Sequence, residues 1–581
     1  MPDHVLSDAE PDMGNGTGGR GACDAPGPEE EIGDRVAEMT GGQALVQSLK
    51  RHGVDTMFVL PGIQLDNTFD ALYDETDNIK LYHTRHEQAT SYMADGYART
   101  TGKPGVCLVV PGPGLLNAMA GLSTAYATNS PVLCISGQIQ SDLIGVGRGV
   151  LHEIPNQVEM VRSVTKWASL VMQPDDASKT VREAFRQMLS GRPRPVEIEM
   201  PPDIMGRKAD IELLDPAPID KDAGDPDKLE QAAKALGESK KPLIFVGGGA
   251  FDATEELKQL AEQLQAPVVM SSNGRGALDS RHYLAQNMVA GRELWRDADV
   301  ILSVGTRLVQ PLTMWGTDDE MTYIQMDVDA EEIGRNVDPN IGIVADARLG
   351  LTGLLDRVGK YSNGGRDSRE DELRALQQRV DDLLHEVNPQ AAFADAIRAE
   401  LPEDGILVNE STQVGYWSNM GMPIYKPRTF LTSGYQGTLG YGFATALGAQ
   451  AGNMNNRVIS VNGDGGFMYN VQELSTAVMH KIPLTTIVFN DNAFGNVKRI
   501  QQEMFNGRTI SSDLLNPDFV KLAESFGMLG LRTETPDGLQ EAIKESFRHD
   551  GPTLIEVPVG PMPNPGRVTG WGAPPAKTRK G

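Results

Sequence analysis

Short apolar runs alternate with longer amphipathic segments along nearly the whole chain, a rhythm that predicts parallel strands covered by helices on both faces. In the N-terminal third, VCLVV at 106–110 leads through Pro111, Gly112, Pro113 and Gly114 into a segment rich in small residues, then into PVLCIS at 131–136. PLIFVGGG, DVILSVG and YIQMDVD repeat the scheme in the middle, and GILVNE, RVISVNGDGG, LTTIVFNDN and PTLIEVPV repeat it towards the C-terminus. Residues 215–228 (DPAPIDKDAGDPDK) and 361–371 (YSNGGRDSRED) break the rhythm, combining Pro, Gly, Ser and charge without apolar periodicity as interdomain connectors do. The fold expected is α/β, with three doubly wound parallel-sheet domains. The boundaries read as a disordered acidic extension over 1–37, a first domain over 38–214 and a linker over 215–228. A central Rossmann-like domain follows over 229–360, a linker passing into helix over 361–384, a third domain over 385–560 and a tail over 561–581.

Two stretches carry candidate chemistry. The apolar run at 457–461 closes in NGDGG, and the next run closes in FNDN. A right-handed crossover lays these strands side by side, with their carboxyl ends on the edge where open α/β sheets bind ligands. Asp464 and Asp491 then face each other as hard oxygen ligands, a main-chain carbonyl just beyond Asp491 joins them, and the set suits Mg2+ anchoring a diphosphate. Gly463, Gly465 and Gly466 let the backbone approach such a diphosphate, with Gly466 opening a helix. On its own the motif is also an ordinary turn. The second stretch, RHEQATSYMADGYART at 85–100, sets Ala89, Met93, Gly96 and Tyr97 on one helical face, so Glu87 begins a helix that must be buried. A first-turn glutamate also simply complements the helix dipole. GxxxxGK[ST], a calcium hand, HExxH, GxSxG and paired CxxC are all absent, and Gly247, Gly248 and Gly249 do not spell GxGxxG.

Composition narrows the partners. A formal charge of -26 over 581 residues repels nucleic acid and anionic membranes. No apolar stretch approaches the ~20 residues of a membrane-spanning helix. Cys23, Cys107 and Cys134 form neither a metal spacing nor a disulfide framework, which points to a reducing, cytoplasmic compartment. The N-terminal segment has neither the basic start nor the apolar centre of a signal peptide.

Taken together, the Glu87 helix, the GDG…NDN segment and the three-part layout resemble the thiamine-diphosphate enzymes that act on 2-oxo acids. The likeness is strongest to the acetolactate synthase large-subunit group and runs over 38–560. It implies a pyrimidine-binding first domain, with Pro61 and Asn117 among the cofactor contacts. SGQI supplies Gln138 on the substrate side and VTKWA the family's lysine, Lys166, so that Glu87, Gln138 and Lys166 are the catalytic candidates. LTSGYQGTLGYGFATALGAQ resembles the start of the diphosphate-binding domain, where the Gly437 main chain receives the aminopyrimidine amine and Leu439 wedges under the cofactor. By the same likeness Thr412, Gln413, Val414, Gly463, Gly465 and Gly466 lie near the diphosphate, and Asp464, Asp491 and the Ala493 carbonyl hold Mg2+. The implied activity is decarboxylation of a 2-oxo acid, pyruvate first, with carboligation to a second carbonyl compound. A simple 2-oxo acid decarboxylase and a non-catalytic cofactor-binding paralogue are the alternatives. A homodimer or homotetramer with sites shared between chains is implied as well. Several positions depart from the pattern. Asp491 stands where asparagine is usual, Ile500 replaces a tryptophan, and GRGVLHEI at 147–154 replaces Phe-Gln-Glu at the substrate mouth. In the middle domain Arg307 is kept, but NMVAGRE and LVQPLTMW replace the FAD-contacting stretches, which weighs against FAD. The basic, Pro-rich tail GWGAPPAKTRKG is a candidate lid.

Overall fold

The computed structural model describes residues 36–362, 365–567 and 575–577. Three six-stranded sheets carry the chain, every neighbouring pair of strands in them parallel. The first runs, edge to edge, Lys80–His83, Thr56–Val59, Gly105–Val109, Val132–Gly137, Val196–Met200 and Trp167–Leu170. The central sheet runs Ala285–Gln286, Val268–Met270, Pro242–Val246, Val300–Val304, Thr322–Asp327 and Ile341–Val344. The third runs Phe430–Leu431, Ile406–Asn409, Val458–Gly463, Thr485–Asn490, Thr553–Pro558 and Leu529–Arg532. Counting strands within each domain, the two outer domains share the order 2-1-3-4-6-5, whereas the central one has the Rossmann order 3-2-1-4-5-6. Each outer domain therefore reverses direction between its first and third strands, and a crevice for ligands opens at the carboxyl ends there.

The expected boundaries shift slightly. Val36–Thr40 pairs antiparallel with Lys208–Glu212, so Val36 and Ala37 already belong to the first domain, while 1–35 lie outside the described residues. Helix Pro226–Glu238 starts inside the stretch read as a linker, and helix Glu370–His385 fills most of 361–384. Lys577 is fixed on the central domain, its N–H donating to the Trp315 carbonyl and its ammonium pairing with Asp318 at 2.9 Å. The remainder of the candidate lid, at 570–574 and 578–581, lies outside the described residues.

Helix Glu87–Thr101 is the pivot of the molecule. Every residue from Ala89 to Ala98 is buried, because the helix lies between its own sheet and helix Tyr441–Gly452 of the third domain. Small residues make that crossing close: a side chain at Gly96 would strike the Thr445 carbonyl, and one at Gly448 the Met93 carbonyl. A second junction joins the first and central domains. Arg192, 6% exposed, pairs with Asp327 at 3.1 Å, Asp329 at 3.5 Å and Glu332 at 2.7 Å.

Candidate active site

The crevice of the first domain gathers Pro61, the Pro111-Gly112 turn and the start of helix Glu87–Thr101. His86 caps that helix by accepting the Gln88 N–H at 3.2 Å, which fixes Glu87 in the first turn. Glu87 is half-buried, and its carboxylate accepts from the Asn117 amide at 3.0 Å. Asn117 itself is exposed on helix Pro113–Thr128. The pair thus forms one oriented acid with a neutral partner.

Gln138 and Lys166 are placed differently. Gln138 is 5% exposed; its amide donates to Glu199 at 2.8 Å and its oxygen accepts the Ile139 N–H at 2.7 Å, so both polar ends are engaged within the domain. Burial pushes the Glu199 carboxyl up to about 7 and its neighbour Glu197 well above the usual range. Lys166 donates to the carbonyls of Ser190 at 2.5 Å and Arg192 at 3.0 Å. It therefore holds the loop that carries Arg192 into the central domain, and no hydrogen bond or ion pair among the described residues joins it to Glu87.

The crevice of the third domain holds the acids. Asp464 follows strand Val458–Gly463 and Asp491 follows the adjacent Thr485–Asn490. Burial, then the charge of Asp464, pushes Asp491 up to about 6; burial also raises Asp464. Two carboxylates forced together in this way are what a divalent cation relieves. Around them stand neutral oxygens. The Asn516 amide, a neutral donor, sits 2.5 Å from Asp464 Oδ2, 2.9 Å from Asn490 Oδ1 and 3.3 Å from Asn492 Oδ1, so three oxygens converge on one point. Among the described residues no three His, Cys, Asp or Glu side chains gather as a metal site. The set is two carboxylates and neutral oxygens, with the Ala493 carbonyl beside them in sequence, and it fits Mg2+.

The neighbouring cradle differs from expectation in one respect. Asp464–Phe467 is a single helical turn followed by a kink at Asn470, so Gly466 does not open a long helix. A side chain at Gly465 would meet Phe494 and one at Gly466 would meet Glu410, whereas Gly463 has nothing closer than Thr412 at 3.7 Å. Glu410 escaped the sequence reading. It is buried, accepts the Gly440 N–H at 2.5 Å, and burial pushes its carboxyl up to about 8. A neutral acid there adds no charge against a diphosphate. Thr412 leads into helix Gln413–Gly421, where Val414 is buried and the Gln413 oxygen is buried without a hydrogen-bond partner among the described residues. Gly437 adopts φ 60° with nothing within 4 Å of a would-be side chain, and Leu439 is half-buried two residues on. Within one chain, no hydrogen bond or ion pair among the described residues links Glu87 or Asn117 to Asp464, Asp491 or Gly437.

Comparison with known proteins decides what these crevices are. Three family models match in the order of the domains: the thiamine pyrophosphate enzyme N-terminal TPP binding domain over 39–160, the central domain over 229–354 and the C-terminal TPP binding domain over 410–557. This chain belongs to the thiamine pyrophosphate enzyme family. Its expected layout of three parallel-sheet domains is that of the family, and the chain is a thiamine pyrophosphate-dependent enzyme. It is 35% identical to the probable acetolactate synthase large subunit of Methanocaldococcus jannaschii, over 91% of this chain and 95% of that protein. It is 32% identical to the acetolactate synthase isozyme 3 large subunit of Escherichia coli, over 90% and 95%. It is also 33% identical to the probable 2-ketoarginine decarboxylase AruI of Pseudomonas aeruginosa, over 89% and 94%. No helix among the described residues is long and apolar enough to cross a membrane.

Proposed function

We propose that the chain decarboxylates a 2-oxo acid, with pyruvate as the first candidate, and joins the remaining fragment to a second carbonyl compound, as its acetolactate synthase relatives are named for doing. Bound thiamine diphosphate supplies the nucleophilic carbon and the electron sink that loss of carbon dioxide requires. The chain's own residues hold it and govern one proton. Asp464, Asp491 and the Ala493 carbonyl hold Mg2+ and through it the diphosphate, with Thr412, Gln413, Val414 and Gly463 at the margin. Gly437 would offer its main chain to the aminopyrimidine, Leu439 would support the cofactor, and Pro61 would be a further contact. The Glu87 carboxyl, oriented by Asn117, exchanges a proton with a ring nitrogen of the cofactor. The observation that carries this reading is the Glu87–Asn117 bond at 3.0 Å in one crevice together with the crowded Asp464/Asp491 pair in the other.

In this reading the active unit is a dimer or tetramer whose sites take Glu87 from one chain and Asp464 from its partner, and the compartment is the cytoplasm, which suits the buried free thiols of Cys107 and Cys134. The enzyme works without FAD. A simple decarboxylase is the second reading. The likeness to a named decarboxylase favours it, whereas Ile500 in place of a tryptophan weighs only against 2-oxobutyrate as acceptor. Incubation with Mg2+, thiamine diphosphate and a panel of 2-oxo acids, with products identified by NMR, decides. An acetohydroxy acid supports ligation, an aldehyde alone supports the second reading, and no turnover of any 2-oxo acid leaves a non-catalytic paralogue. A yellow preparation with stoichiometric flavin would contradict the FAD-free reading.

A further inference from the structure

The edge strand of the first sheet leaves donors that the sheet itself cannot pair. Lys80–His83 has a neighbour, Thr56–Val59, on one side only, and just past its end the Thr84 N–H still donates across to the Val59 carbonyl at 3.1 Å. Successive N–H groups along an extended strand point to opposite sides, so those of His83 and Arg85 face outwards. The next two residues are His86 and Glu87, so the strand runs directly into the turn that carries the acid. Both outward donors are met by the third domain of the same chain, through the short helices Met468–Glu473 and Leu474–Met479 that follow the Asp464 turn. His480 Nε2 accepts the His83 N–H at 3.1 Å, and the two imidazole rings meet edge-on at 4.9 Å. Glu473, two helical turns earlier and so on the same face, accepts the Arg85 N–H at 3.0 Å through Oε2 and at 3.2 Å through Oε1.

A carboxyl group is a costly means of holding one N–H here. Glu473 is fully buried, burial pushes its carboxyl above the usual range, and no cation pairs with it among the described residues. A buried acid without a counter-charge is tolerated only where donors converge on it. The Arg85 main chain, the Thr476 hydroxyl at 2.5 Å and the Gln472 amide at 3.4 Å do so. The last two come from its own helical segment; Arg85 alone belongs to another domain, and it lies two residues ahead of Glu87. Full burial of helix Glu87–Thr101 begins only at Ala89, so the chain leading into its first turn depends on ties of this kind. The Glu87 carboxyl then projects from a main chain anchored on both sides, with Asn117 as its own partner at 3.0 Å.

We infer that Glu473 is a positioning residue for Glu87: by holding the Arg85 N–H from the third domain, it fixes the turn on which that acid stands. This rests on the cofactor reading above. Glu473→Ala removes the acceptor. In the cofactor-free chain, backbone hydrogen exchange read by mass spectrometry should speed up about 10-fold or more across 84–88, as loss of a buried hydrogen bond allows, while helix Tyr441–Gly452 keeps its protection. In the Mg2+–thiamine diphosphate holoenzyme, kcat should fall about 10- to 100-fold, as a small misplacement of a reacting group causes, with KM and cofactor affinity within about twofold of wild type. Glu473→Gln keeps an oxygen for Arg85 and should recover most of the loss. A double-mutant cycle separates positioning from general support. On the Glu87→Gln background, Glu473→Ala should lower kcat by less than about threefold, because the group it positions is already gone. Glu473→Asp, one methylene short of Arg85, carries the same cycle if the alanine variant does not fold. Full multiplication of the two losses would make Glu473 a prop for the fold and sink the proposal, and so would unchanged exchange across 84–88. Wild type that consumes no 2-oxo acid would instead bring down the cofactor reading, and this one with it.

Discussion

Asp464 stands close enough to Asp491 for its charge, after burial, to raise the Asp491 carboxyl, and a cation with oxygen affinity would relieve that repulsion. Replacing Asp464 with Ala should therefore abolish Mg2+-dependent thiamine diphosphate binding in a titration calorimeter while the circular dichroism spectrum is retained; unchanged binding would remove the anchor from the account. Glu87 is a different case, because in the proposed reaction it would contribute a proton and not affinity. Glu87→Gln should bind the cofactor yet lose about 10²- to 10⁴-fold in turnover, read in a steady-state assay of 2-oxo acid consumption. Glu410 makes a prediction about pH. Its folded value of about 8 lies above the ordinary 4.5, so the folded chain keeps a proton that the unfolded chain gives up. The stability this group contributes is full below 4.5 and drains away as pH rises through about 8. Glu410→Gln stays neutral and still accepts from Gly440. It should unfold at a higher temperature than wild type at about pH 9, with the gap closing towards about pH 5, as scanning calorimetry would register.

At the scale of elements, the crossing of helices Glu87–Thr101 and Tyr441–Gly452 sets where Glu87 points. Gly448→Ala puts a methyl group against the Met93 carbonyl, and overpacking of this kind costs about 1–3 kcal/mol. Both the melting temperature and kcat should fall, whereas a substitution on the exposed face of helix Glu370–His385 should change neither. The elements themselves are legible in the sequence, since most of the buried parallel strands are apolar runs, Val196–Met200 with its buried Glu197 and Glu199 being an exception, and each site acid stands at the end of such a run or at the start of a periodic helix. What is not legible depends on distant chain. Asn516 lies 52 residues beyond the Asp464 it bonds, in a stretch without periodicity. Glu410 visibly ends a strand, but only burial turns it into a neutral acid. Lys166 binds carbonyls, which leave no residue-type signal. Gly465 and Gly466 suggest room for a ligand, and the fold uses that room for Phe494 and Glu410.

For the whole molecule, the two crevices belong to domains of one strand order, and each is flanked by exposed apolar side chains: Leu116 beside Asn117, and Tyr469 against Gly440. Such surfaces beside incomplete sites are what a second copy would cover. Glu87→Gln and Asp464→Ala proteins, each inactive, should then complement. In a mixed dimer one site collects both defects and the other receives both residues intact, so random exchange restores roughly a quarter of sites. Mixed dimers confirmed by mass spectrometry but devoid of activity would count against sharing.

The Arg192 junction bears on how such a chain can be rebuilt. A guanidinium of the first domain sits among three acids contributed by the central one, and removing its partners would strand a buried charge at a cost of about 3–5 kcal/mol. The three domains are therefore not interchangeable cassettes. A chimaera that imports a foreign central domain must bring acids to the places of Asp327, Asp329 and Glu332, or else recode position 192 at the same time. Lys166 travels with that requirement, because the carbonyls it holds are those of the loop that delivers the arginine.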